Sequence, residues 1–192
     1  MIQIRKGFAP EDTGRACALF WEAFRGKLQR TLGPDDKALS FLRDVIHPDF
    51  CYAAYQGDTL VGLAGFKTIQ GGLIGGGWRE LAAIYGWPGA LWRGLILDAF
   101  ERKITAQQLL MDGIFVADGM RGQGVGSALL DAIAAHAKML NCHEIRLDVI
   151  DTNPRAKALY TRHGFVSTGV VRTGLAAPLL GFRTATTMVL TP

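Results

Sequence analysis

Arg121-Gly122-Gln123-Gly124-Val125-Gly126 and, one strand later, Asn153-Pro154-Arg155-Ala156-Lys157-Ala158-Leu159-Tyr160-Thr161-Arg162-His163-Gly164-Phe165 are the stretches that decide the fold. The first lies between an apolar run, residues 109–116, and a segment in which Leu129, Leu130, Ile133, Ala137 and Leu140 share one helical face. The spacing predicts a strand, a turn, a glycine-rich loop from Gly122, and a helix that Asn141 caps. Such a loop gathers backbone N–H groups at the positive end of a helix dipole, where a pyrophosphate binds. Glycine serves there because a Cβ would hold the backbone off the phosphate oxygens. A plain glycine-rich turn would carry the same letters. The second stretch follows a predicted strand at residues 144–150. It opens a helix at Asp151-Thr152-Asn153-Pro154, with Pro154 near the first turn, and Gly164 ends it.

Two other phosphate loops are tested by the same letters. A Walker loop needs Gly-Lys-Ser/Thr, and Gly126 is followed directly by Ser127, so it fails. A dinucleotide fingerprint is nearly matched by Gly122, Gly124 and Ser127, with Asp148 downstream. That fingerprint follows its strand directly and opens a longer βα series. Here five residues, 117–121, intervene, and only one further βα unit follows.

Together the two stretches resemble the GNAT superfamily of N-acetyltransferases. Arg121, Gly124 and Gly126 match its Arg/Gln-x-x-Gly-x-Gly/Ala pattern. Asn153, Ala156, Leu159, Tyr160, Gly164 and Phe165 match its second pattern. The strong resemblance covers residues 109–165. It implies an α/β fold, a mixed and mostly antiparallel central sheet of six or seven strands flanked by helices. The fourth and fifth strands of such a sheet splay apart, with acetyl-CoA as cosubstrate in the gap.

Carried over residue by residue, the resemblance implies that Phe115 and Val116 offer backbone groups to the pantetheine arm. Arg121, Gly122, Gln123, Gly124, Val125 and Gly126 would hold the pyrophosphate, and Asn153 would meet the cosubstrate from the other side. Tyr160 would aim its hydroxyl at the thioester sulfur. The chemistry agrees, because a thiol has a reference pKa near 8.5 and tyrosine near 10, so tyrosine can protonate a departing thiolate. A half-buried packing tyrosine is the other reading of Tyr160. The attacking amine must be neutral, so a base has to take its proton. Asp112, inside the apolar strand, is the candidate base, although a solvent-facing or backbone-capping residue would fit the same position. Glu80 and Glu101 are weaker candidates.

Upstream, Gln3-Ile4-Arg5 starts a strand and Pro10-Glu11-Asp12 a helix that buries Leu19, Phe20, Ala23 and Phe24. A second helix spans residues 34–46, and Pro48 stops it. Residues 50–56 and 59–67 form a hairpin through Gly57-Asp58. Residues 68–108 depart from the family pattern and read as an ordered insertion between the third and fourth strands. Five glycines lie at its entry (71, 72, 75, 76 and 77), and a helix is expected over residues 90–103. Its Trp78, Tyr85, Trp87 and Trp92 could line an apolar acceptor pocket, pack the insertion down, or form the face of a homodimer. Residues 165–172 and 184–190 close the sheet.

Composition fits one domain over residues 1–192: 49% of the 192 residues are hydrophobic and 20% charged, which excludes a disordered chain. Glycine supplies 24 of 192 residues, about 12% against an ordinary 7% or so, pointing to tight turns and close backbone approaches. The net charge of +4 is spread rather than blocked, so an anionic ligand suits it and no nucleic-acid partner is expected. Three cysteines with no Cys-x-x-Cys spacing, and no His-Glu-x-x-His, leave no metal site expected. Neither a leader nor an apolar run of about 20 residues appears, so no membrane association and a cytoplasmic location are expected. Two functions fit: acetyl transfer from acetyl-CoA to an amine-bearing acceptor by direct attack in a ternary complex, or a CoA-binding module without turnover.

Overall fold

The computed structural model describes residues 1–99, 104–174 and 181–192. Among the described residues eight strands form one sheet in the order β1-β2-β3-β5-β6-β8-β7, with the two-residue β4 beside β3. They are β1 Ile2–Lys6, β2 Cys51–Gln56, β3 Thr59–Thr68, β4 Gly71–Gly72, β5 Gln108–Val116, β6 Glu144–Ile150, β7 Val166–Arg172 and β8 Thr184–Leu190. The helices are α1 Thr13–Leu32, α2 Asp35–Val45, α3 Trp78–Ala99, α4 Val125–Met139 and α5 Pro154–Arg162. The sheet is mixed and mostly antiparallel, and seven of its strands are those read from the sequence. The eighth, β4, consists of two glycines paired to Lys67 and Thr68, too short to leave a period in the sequence.

The central strand β3 is buried almost throughout because both of its faces are covered. Leu60 and Leu63 join the core under α1, α2 and α3, while Val61, Ala64 and Phe66 join the core under α4. From Gly62 onward the strand alternates between the two cores, and the extra residue Val61, where β3 slips by one against β2, puts Leu60 and Leu63 on the same side. Helix α1 supplies Ala16, Leu19 and Phe20 to the first, and α4 supplies Leu129, Ile133 and Ala137 to the second. Asn141, in the left-handed region at φ 53°, follows the end of α4, which fits its reading as a cap.

One irregularity positions the site. Gly65 pairs with Gly113 and the next residue, Phe66, pairs with Met111, so Asp112 is an extra residue on β5. Such a bulge bends its strand. On its other edge β5 pairs with β6 only at Gln108, Leu109 and Leu110, in parallel. Beyond Leu110, β5 follows β3 while β6 follows β8 through Ile150, and a gap opens between them.

Residues 68–108, the segment expected as an insertion, contain α3, longer than the helix expected over residues 90–103, of which residues 100–103 lie outside the described residues. Gly86 interrupts α3 at φ 68° and ψ 162°, a conformation nearly confined to glycine. The two halves fold together, since a Cβ on Gly94 would lie 2.4 Å from the Trp78 ring. Tyr85 donates a hydrogen bond to the Leu32 carbonyl, tying α3 to the end of α1.

Candidate active site

Along the β5 edge that β6 leaves runs a cleft of about 730 Å³ that reaches from α1 to α4 and α5. Its β5 wall is Ile114, Phe115 and Val116. The Phe115 carbonyl lies 3.0 Å from where a Cβ on Gly62 would sit, and Ala117 N–H donates to the Val61 carbonyl at 2.9 Å. Both contacts turn the Phe115 peptide toward β3. Strand alternation then turns the backbone groups of Ile114 and Val116 toward the gap. Of the two residues expected to offer backbone groups, Val116 faces the gap, while Phe115 contributes a ring that is buried against Phe20 and Phe24. Ile114, missed in the sequence, takes the other open position; only the register across the bulge discloses it.

The glycine loop forms the far end. Gly122 at φ 79° and Gly124 at φ 81° both need the left-handed backbone, and a Cβ on either would meet nothing within 4 Å. Gly124 caps α4, whose first N–H groups lack partners within the helix and carry the positive end of its dipole. Arg121 donates from Nε to the Val116 carbonyl at 3.1 Å and pairs with Asp118, which keeps the loop beside β5. Gln123 donates to the Gly119 carbonyl at 2.9 Å, and the Val125 side chain is buried in the core under α4. These two do not line the cleft, whereas Arg121, Gly122, Gly124 and Gly126 do. The cradle fits a pyrophosphate.

Helix α5 forms the opposite wall. Asn153 accepts a hydrogen bond from Ala156 N–H at 3.1 Å, so its Oδ1 is spent on the cap, which leaves the carboxamide nitrogen to meet a ligand. Tyr160 is 6% exposed and its ring packs 5.6 Å from that of Phe165. Burial pushes its hydroxyl up to about 12, so the proton stays on at neutral pH. Arg155, Leu159 and Arg162 line the cleft as well, a spacing of four and three residues that puts them on one face of α5. That periodicity was the signal for the two arginines. Glu22 of α1 also lines the cleft, and nothing in the sequence marks it out.

Asp112 lies elsewhere. It lines a second cavity of about 420 Å³, between α1, α2, α3 and β5. The two cavities adjoin. Ala23 lines the cleft and Phe24 the second cavity, while Ile114 and Asp112 divide in the same way along β5. Between them the Phe24 and Phe115 rings stand 5.3 Å apart above Gly113, where a Cβ would meet both. Trp78 lines this second cavity, but Tyr85 packs beside it, and Trp87 and Trp92 are exposed on the outer side of α3. Glu80 accepts a hydrogen bond from Gly77 N–H at 2.8 Å, and backbone hydrogen bonds hold its carboxyl below the usual range; it is a cap. Glu101 lies outside the described residues.

The three cysteines are buried and unpaired, and none lines either cavity. Burial raises the Cys17 thiol to about 11 and the Cys51 thiol to about 12. Among the described residues no group of three or more His, Cys, Asp or Glu is placed to hold a metal ion. No described helix is long and apolar enough to cross a membrane.

Residues 15–165 match the model of the acetyltransferase (GNAT) family. Over 58 residues the chain is 36% identical to thialysine N-epsilon-acetyltransferase from Bos taurus, a stretch covering 30% of this chain and 34% of that protein. The chain thus spans about a third of the length of the curated relatives it matches. An N-acetyltransferase from Staphylococcus aureus Mu50 superposes with a TM-score of 0.71 at 18% identity, covering 98% of this chain and 100% of that one. A GCN5-related N-acetyltransferase from Kribbella flavida gives 0.63 at 19% identity, with 100% and 98% covered.

Proposed function

The chain belongs to the GNAT acetyltransferase family, and from that membership we propose that it moves an acetyl group from acetyl-CoA to an amine by direct attack in a ternary complex. The observation that carries this reading is the gap beyond Leu110, where β5 leaves β6 and exposes the backbone of Ile114 and Val116. Strand groups that have left the ladder call for a partner; the Val116 carbonyl takes one from Arg121 Nε, and an extended pantetheine arm with its own amides can meet the Ile114 groups and the Val116 N–H. Arg121, Gly122, Gly124 and Gly126 hold the pyrophosphate at the start of α4, and Asn153 braces the cosubstrate from α5.

The acceptor nitrogen comes from the second cavity and attacks the thioester carbon. A C–N bond forms and the C–S bond breaks. Tyr160 gives its proton to the departing sulfur and is reprotonated from solvent. Asp112 takes the proton that the amine loses, directly or through water. A hydroxyl held at about 12 keeps its proton near neutrality; it is a weaker acid than a thiol near 8.5, so it gives the proton up only as charge builds on the sulfur, and its hydrogen bond to the developing thiolate is what lowers the barrier. Direct transfer is favoured because no cysteine borders either cavity, so a thiol is not available to carry the acetyl group.

The test is release of free CoA from acetyl-CoA, followed with a thiol reagent across a panel of primary amines. Amine-dependent release with an N-acetylated product supports the reading. Binding of acetyl-CoA with no release for any amine would make the chain a CoA-binding module instead.

A further inference from the structure

The second cavity says what kind of amine enters. Its wall is built chiefly from rings and aliphatic side chains, among them Phe20, Phe24, Phe41, Trp78, Leu81 and Leu97. Four charged groups share that wall, Lys27, Lys67, Asp98 and Asp112, and their formal charges cancel. A cavity of about 420 Å³ falls in the usual small-ligand range of roughly 300–1,000 Å³. The balanced charges impose little net field, so apolar contact must supply the selectivity. Asp112 stands at the bulge, where β5 leaves β6 and the cavity meets the cleft.

We infer that the acceptor is a primary amine on an apolar alkyl or arylalkyl body, which fills the cavity between α1, α2 and α3 with its nitrogen at the Asp112 end. The fate of that nitrogen rests on the acetyltransferase reading, while the occupancy of the cavity does not. A second ammonium at the far end of the ligand, as in a polyamine, would have the Asp98 carboxylate to set against the like charges of Lys27 and Lys67, and would give up part of its hydration among the rings and leucines. A carboxylate beside the amine, as in a free amino acid, would crowd Asp112 with a like charge. Both are disfavoured. The insertion is what makes the site apolar, because Trp78, Leu81, Gly94 and Leu97 all come from α3.

The experiment titrates n-butylamine, n-hexylamine and n-octylamine by calorimetry into the protein saturated with CoA, which supports binding but no turnover. Hexamethylenediamine and lysine serve as polar counterparts. Burial of each added methylene should tighten binding about fourfold until the cavity is full. The diamine should bind at least tenfold more weakly than n-hexylamine. In Leu97→Trp the gain from n-hexylamine to n-octylamine should vanish, while the thermal shift caused by acetyl-CoA is kept. An affinity independent of chain length in the wild-type protein, or a diamine or lysine that binds as tightly as n-hexylamine, would overturn the inference whatever the variant does. Loss of the acetyl-CoA thermal shift in the wild-type protein would sink the transferase reading alone, and the chain-length series would still decide the cavity.

Discussion

Tyr160 holds one transferable proton in a ring that also packs on Phe165, and a single substitution separates the two roles. Tyr160→Phe keeps the ring, so acetyl-CoA affinity should change little, while kcat should fall by roughly 10²–10⁴ if the proton is needed. A kcat within about twofold of wild type would remove Tyr160 from the chemistry. The hydroxyl also shares with those of Tyr55 and Tyr85, pushed up to about 12 as well, in setting the alkaline limit of the fold. Its folded value of about 12 lies above the ordinary 10, so the folded state holds this proton more tightly than the unfolded chain does. The stability it supplies is complete below pH 10 and is lost as pH rises toward 12. Urea denaturation between those two values should therefore show a shallower decline in Tyr160→Phe than in wild type. Asp112→Asn makes a second test at this scale. If Asp112 takes the amine proton, kcat/KM should fall at neutral pH and recover as pH approaches the amine's own value, about 10 for an alkylammonium. A deficit unchanged across that range would assign Asp112 a structural role.

At the scale of elements, α3 is where sequence and structure part most. Its tryptophans have no single period because two short helical pieces meet at Gly86, each with its own buried side. The Trp78 ring lies over Gly94 and borders the second cavity while remaining 43% exposed, whereas Trp87, 69% exposed, borders neither cavity. Trp87→Ala should therefore leave acceptor KM within about twofold, since an exposed side chain away from the site changes little. Trp78→Ala should raise KM by removing part of the cavity wall. Gly86→Ala places a side chain in open space but in a backbone region that only glycine tolerates, and should cost about 1–3 kcal/mol in urea denaturation. The loop into α4 and the cap of α5 were legible for the opposite reason: each is local. Left-handed turns call for Gly122 and Gly124, and a helix start calls for Asn153 followed by Pro154, whatever surrounds them. The bulge at Asp112 is not local. It is set by the register of β5 on β3, so the sequence could name Asp112 and Phe115 but could not say which way either faced.

For the whole molecule, the topology does what no single motif can. The strand order β3-β5-β6-β8 places a parallel pair, β5 and β6, between antiparallel neighbours, and that pair holds for only three positions. Helix α1 then serves both cavities from one face, Ala23 to the cleft and Phe24 to the acceptor side. Seven strands, the helix order and the two ends of the cleft could be read from apolar periods and turn residues. Glu22, from a helix a hundred residues away, could not, because only the fold brings it there. The proposed acetyl-CoA site is the opening between β5 and β6, with the sulfur at Tyr160. A crystal structure of the protein with CoA tests it most directly. The pyrophosphate should lie against the backbone of residues 121–126, the pantetheine along Ile114 and Val116, and the thiol within hydrogen-bonding reach of the Tyr160 hydroxyl. CoA bound outside that opening, or threaded through it with the thiol turned away from Tyr160, would contradict it.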